Sequence, residues 1–186
     1  MTVLGIDPGS RKMGWAVVHR QGQVLTRISS GTLTTKHDAP LPERLGGLLT
    51  ALEELFTRFQ PMALAVESAF VHENPHTALV LGQARGLPIA LAAARGLPVL
   101  ELPPATVKRT VVGNGRAEKI QVQEMVRLVL NLGTLPQEDE ADALAVAITF
   151  HRQPTALAVI PGGESSLTAA QKVWMAATHA SKRKRG

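Results

Sequence analysis

Apolar positions along the chain change period several times, and each change marks an element. Residues 3–7 (VLGID) form a short apolar run that stops at Asp7-Pro8-Gly9, where Pro8 and Gly9 suit the central positions of a type II turn. Residues 14–19 (GWAVVH) and 24–33, the latter with β-branched residues and polar alternation, read as two further strands. Three strands joined by short turns predict an antiparallel meander. A loop over 34–42 leads into a helix over 41–59, whose Leu45, Leu48, Leu49, Leu52, Leu55, Phe56 and Phe59 recur at helical spacing and whose end is followed by Pro61.

From there helix and strand alternate. Residues 63–67 (ALAVE) have the composition of a buried strand, 77–95 a helical pattern with a kink predicted at Pro88, and 97–102 another strand. Helices are predicted over 105–111, 117–130 and 138–152, the last rich in alanine. Three strands followed by alternating helices and strands predict an α/β layer structure, a mixed sheet with helices on its faces. Past Pro154 the periodicity fades and Pro161-Gly162-Gly163 reads as a linker. The organisation is therefore one domain over 1–153 and a flexible basic C-terminal tail over 154–186.

Composition narrows the chemistry. The 186 residues are enough for a full hydrophobic core, and no cysteine is present. That excludes disulfides, cysteine-ligated zinc, iron–sulfur clusters and thiol nucleophiles, and fits a reducing cytoplasm. No run of 18 apolar residues occurs, so no membrane span is predicted. The N-terminal MTVLGIDPGS lacks the basic start of a signal peptide. Net charge is +5, yet residues 1–153 carry 15 Lys and Arg against 14 Asp and Glu. The tail, ending Lys182-Arg183-Lys184-Arg185, supplies most of the excess and is suited to phosphates without sequence preference.

Acids inside apolar segments need an explanation. Asp7 ends one apolar strand and Glu67 another, while Asp139 and Asp142 share one face at the start of an apolar helix, flanked by Glu138 and Glu140. Taken singly, Asp7 serves as a turn former, Glu67 as a cap, and the aspartates as partners of the helix dipole. Taken together, they present carboxylates at the ends of three elements, where α/β sheets gather function. Clustered carboxylates repel unless cations intervene, and hard oxygen ligands suit magnesium or manganese. Two such ions about 3.5–4 Å apart activate water against a phosphodiester. Lys108, Arg109, Arg116, Lys119 and Arg127 form a basic-leaning region, and Val112-Gly113-Asn114-Gly115 reads as a mobile loop. Residues 77–94 hold too many apolar side chains for one buried stripe, which makes them a candidate subunit interface.

Four stretches carry a resemblance: Leu4-Gly5-Ile6-Asp7-Pro8-Gly9-Ser10, Val66-Glu67 with Phe70, Leu81-Gly82-Gln83-Ala84-Arg85-Gly86, and Asp139-Glu140-Ala141-Asp142-Ala143-Leu144-Ala145. Together with the segment from Val107-Lys108 to Glu118-Lys119, they make the chain resemble RuvC-type Holliday junction resolvases from residue 3 to about 152. The resemblance implies a ribonuclease H-like fold, a mixed five-stranded sheet flanked by helices. It implies a homodimer that nicks four-way DNA junctions symmetrically, in recombination and repair, together with a RuvA–RuvB branch-migration motor. It implies a divalent metal, Mg2+ with Mn2+ as substitute, held by Asp7, Glu67, Asp139 and Asp142. Phe70 is implied at the opened centre of the junction, and Lys108 and Lys119 at DNA phosphates, with Arg116 beside them in the basic region. The chain departs from the pattern at Glu73, an acid in a loop near DNA, and in its long tail.

Three rival readings remain at this level. Gly5-Ile6-Asp7 with Gly9 and Gly14-Trp15-Ala16-Val17 also resembles the first phosphate loop of actin-like ATPases, a fold that needs a second related domain. An RNA-processing nuclease of the same fold and a non-catalytic DNA-binding module are the others.

Overall fold

Strand alternation, read against the burial of each side chain, sorts the central residues onto two faces. In the computed structural model, which describes residues 1–68 and 74–153, β1 (Thr2–Asp7) sits in the middle of a five-stranded sheet. β2 (Lys12–Gln21) and β3 (Val24–Thr34) follow as an antiparallel meander, turning at Gly22 with φ 60°. β4 (Ala63–Glu67) and β5 (Val99–Leu102) add in parallel on the other side, giving the order β3-β2-β1-β4-β5. The sheet is mixed and flanked by helices, as the sequence predicts.

On one face Leu4, Ile6, Met13, Val17, Leu64 and Val66 pack against α1 (Leu41–Phe59) and α2 (Pro75–Ala94). On the other, Val3, Ala16, Val18, Ala63 and Ala65 pack against α3 (Pro104–Val112), α4 (Lys119–Val129) and α5 (Glu138–Arg152). α5 is the deepest helix: every residue from Ala143 to His151 is buried. It lies close on the sheet because the strands beneath it carry almost no side chain. A Cβ on Gly5 would stand 2.5 Å from the Ala143 carbonyl oxygen and 2.8 Å from the Ala147 Cβ, and one on Gly14 would strike the Asp139 carbonyl.

Several local expectations change. Gly9 does not take the positive φ that a type II turn requires. Its requirement is steric, since a Cβ there would collide with the Lys12 carbonyl. α2 continues as one helix past Pro88, where the sequence predicts a kink, and its buried stripe is Ala84, Pro88, Leu91 and Ala92. The rest of its apolar surface is half-buried or exposed, with Leu79 62% exposed. By length and composition alone α2 is apolar enough to cross a membrane, which the run-length reading passes over because His76, Gln83 and Arg85 interrupt the run. Gly113 ends α3 at φ 87°, and a Cβ on Gly115 would stand 3.1 Å from the Ala105 carbonyl oxygen. The tail over 154–186 lies outside the described residues.

This packing can be tested at two positions. Gly5→Ala should cost about 2–3 kcal/mol, because α5 must move off the sheet to admit the methyl; a urea midpoint equal to that of the parent protein would refute the contact. The second position is His151, buried at the end of α5 with Nε2 3.2 Å from the Val18 carbonyl oxygen. Burial first, with Arg20, the N-terminal ammonium and His19 nearby, depresses its pKa to about 4. The unfolded chain takes up this proton near the ordinary value of 6.5 and the folded one does not, so stability is full above 6.5 and falls as pH drops toward 4. Thermal unfolding between pH 7 and 5 should therefore be less pH-dependent in His151→Gln; identical slopes would remove His151 as the cause.

Candidate active site

Side-chain parity brings the predicted acids to one place. Val3, Gly5 and Asp7 alternate onto the α5 side of β1, as do Ala63, Ala65 and Glu67 on the neighbouring parallel strand. Asp7 is paired with Gly14 on β2, and it is the missing side chain of Gly14 that abuts the Asp139 carbonyl. Asp142 lies three residues further along α5, on the same face as Asp139. All four acids are half-buried, so each carboxyl has lost part of its water without leaving the surface.

Their electrostatics record the crowding. Burial first, then the charges of Glu67, Asp142 and Asp139, push the Asp7 carboxyl up to about 8, against a smaller downward pull from Lys119. Burial and Asp142 push Glu67 up to about 7, opposed by Lys108. Asp142 is raised as well, mainly by burial, with Lys119 and Lys108 opposing. Among the described residues no three acids or histidines stand in a preformed cage for an ion. The donor set still fits a hard divalent ion: it offers only oxygens, partly desolvated, and the protons that Asp7 and Glu67 hold near neutrality are the ones a cation displaces.

The flanking acids are committed elsewhere. Glu138 accepts from the Lys119 ammonium, and Glu140 accepts from Ser30 Oγ at 2.6 Å and Arg27 at 3.3 Å, on β3. Among the described residues, that leaves Asp139 and Asp142 as the carboxylates of α5 without a hydrogen-bond or ion-pair partner.

The predicted DNA contacts are dispersed around this centre. Lys119 opens α4 and Lys108 lies within α3, both within electrostatic range of the acids. Arg116 is exposed in the turn between the two helices, and Arg127 is paired with Glu124 at 3.0 Å. Phe70 and Glu73 lie outside the described residues. Sequence reasoning missed Arg85. Its Nε donates to the Glu67 carbonyl oxygen at 3.3 Å and its guanidinium is ion-paired with Glu101, so α2 braces the ends of β4 and β5. The signal was a lone arginine in an otherwise apolar helix.

Comparison with known proteins identifies the family. The family model of crossover junction endodeoxyribonuclease RuvC matches residues 3–150. The RuvC of Geobacter sp. (strain M21) is 45% identical over 162 residues, covering 87% of this chain and 99% of that protein. The RuvC of Photorhabdus laumondii is 51% identical over 147 residues, covering 79% and 84%. The solved structure of T. thermophilus RuvC in complex with Holliday junction substrate superposes with a TM-score of 0.78 at 34% identity, over 86% of this chain and 98% of that one. The yeast mitochondrial Holliday junction resolvase Ydc2 shares the fold, with a TM-score of 0.61 at 15% identity over 81% and 78%. On this match, and on the acids that its fold collects, the chain belongs to the crossover junction endodeoxyribonuclease RuvC family.

Proposed function

We propose that Asp7, Glu67, Asp139 and Asp142 are the catalytic acids with which this endonuclease hydrolyses phosphodiesters to resolve four-way DNA junctions. The observation that carries the reading is the convergence of four half-buried carboxyls from three elements, with two of them, Asp7 and Glu67, raised to near neutrality by burial and by neighbouring acids. Such a site is costly to fold and is explained by a cation that the family requires. A divalent ion, in our reading Mg2+ with Mn2+ as substitute and two per site, supplies an activated water and neutralises charge on the leaving oxygen when bound.

The chain's own residues do the rest. Asp7 sits centrally, with every other acid acting upon it, which suits it to a shared ligand. Lys108 and Lys119 offset the acids' charge, so that an anionic backbone can approach. Arg116 adds a cation at the exposed turn, and Phe70 is assigned to stacking on an unpaired base at the junction's centre. We assign the nuclease to residues 1–153, leaving the basic tail to add phosphate affinity. The phosphate-loop alternative calls for a duplicated domain, and the described residues form a single sheet.

A two-fold junction calls for a two-fold enzyme. We assign its interface to α2, whose Leu79, Val80, Leu81, Leu87 and Ile89 remain outside the buried stripe. Cooperation with a RuvA–RuvB motor and a cytoplasmic location complete the reading.

Asp7→Asn should abolish paired nicking of a synthetic four-way junction in Mg2+. It should also raise the melting temperature of the metal-free protein at pH 8 by a few degrees, on the order of 1 kcal/mol. The sign follows from a folded pKa raised above the unfolded one: the buried acid stabilises at low pH, and that contribution is lost as pH rises from 3.8 through about 8. A variant that still nicks, or one that melts below the parent in chelator, would contradict the role. Leu79→Lys should convert a dimer into a monomer in analytical ultracentrifugation; an unchanged sedimentation coefficient would move the interface off α2.

A further inference from the structure

The lysines that face the acids stand on α3 and α4, on one side of the sheet. A second set of cations stands at the same end of the sheet on the other side, around the loop that leaves Asp7. Ser10, Arg11 and Lys12 follow Asp7-Pro8-Gly9 directly, and their backbone is pinned to the segment just beyond β3: the Thr35 N–H donates to the Arg11 carbonyl at 3.0 Å, and Thr35 Oγ1 to the Ser10 carbonyl at 3.2 Å. Arg44, in the first turns of α1, reaches over with Nη1 3.3 Å from Ser10 Oγ. Arg11 Nη1 lies 3.4 Å from His37 Nε2.

This ledge is short of acid. Glu43 is 3.9 Å from Lys36 and Asp38 is taken up by His37 at 2.8 Å. Among the described residues no carboxylate lies within salt-bridge distance of Arg11, Lys12 or Arg44. The Arg44 Nε is buried and has no hydrogen-bond partner among the described residues. With Nε sealed inside, Arg44 has its terminal nitrogens left to meet an anion, Nη1 lying beside Ser10 Oγ. A planar guanidinium suits a phosphate, which offers two oxygens to its fork.

We propose that Arg11 and Arg44 form a second phosphate-binding ledge that grips the backbone of a DNA arm on the side of the acids opposite Lys108 and Lys119. This rests on the reading that the acids face DNA. The strand to be cut then runs between two cationic flanks, each fixed to a different face of the sheet. The grip reads the backbone alone and carries no base preference.

The test is binding of a fluorescein-labelled four-way junction by anisotropy, in Mg2+, with every variant built on the cleavage-dead Asp7→Asn chain and salt varied. Arg11→Gln and Arg44→Gln should each weaken binding about tenfold at low salt and make the slope of log K against log salt shallower by about one. Arg44→Lys should retain the slope. Arg11 is exposed, so Arg11→Gln carries the test if Arg44→Gln fails to fold. If both glutamine variants match the parent in affinity and slope while Lys119→Ala loses both, the ledge is overturned and the DNA-facing reading of the acids stands. If the parent itself does not bind the junction, that reading falls and the ledge falls with it.

Discussion

Everything at the end of the sheet where the acids gather depends on how closely α5 lies against β1 and β2. A helix normally rides above a sheet on the side chains between them. Here Gly5 and Gly14 remove the intervening atoms, and Ala143 and Ala147 present only methyls from above. The first turn of α5 is thereby brought down to the level of the strand ends. Two aspartates on a helix and two acids on parallel strands come to share one site without a long loop to carry any of them. The same closeness buries alanine where a larger side chain would fill more space, so packing here contributes contact rather than bulk.

Against that packing works an electrostatic load. Four acids are gathered where water is scarce, and at least three of them hold their protons above the ordinary range as a result. The surrounding residues limit how far the load spreads. Glu138 and Glu140, which add to the acidity in sequence, are each tied to a partner on another element. Arg85 holds the carbonyl of Glu67 from behind, through the backbone, and so steadies the strand end without neutralising the carboxylate. The site is thus kept acidic at its centre and neutral to basic at its rim.

Much of this was legible in the residues. The bounds of α1, β4 and α5 follow from apolar spacing that begins and ends on clear signals, Pro61 after α1 and the acidic start of α5 among them. The three acid-bearing segments stand out because charge interrupts an apolar run. What was not legible is whatever depends on a distant neighbour. The order of strands, the partners of Glu140 on β3 and the brace from Arg85 are set by residues 18 to 113 positions away. Local chemistry favours a turn role for Gly9, whereas its real constraint is the carbonyl of Lys12. β2 extends past its apolar core to Lys12 and Gln21 because its polar ends are paired with neighbouring strands, and pairing leaves no mark on hydrophobicity. The half-exposed surface of α2 shows only as an excess of apolar residues.

The glycines under α5 also bear on how such a protein can diverge. A position that holds a carboxylate tolerates exchange among acids or imidazoles at some loss, since ligand chemistry has more than one solution. Position 5 has none, because any added atom meets backbone and backbone cannot be re-chosen. Variation that retunes the enzyme must therefore accumulate on the flanks and loops, where no backbone stands in the way of a new side chain. The helix-to-sheet seam changes only by paired substitution, the helix giving way by as much as the strand gains.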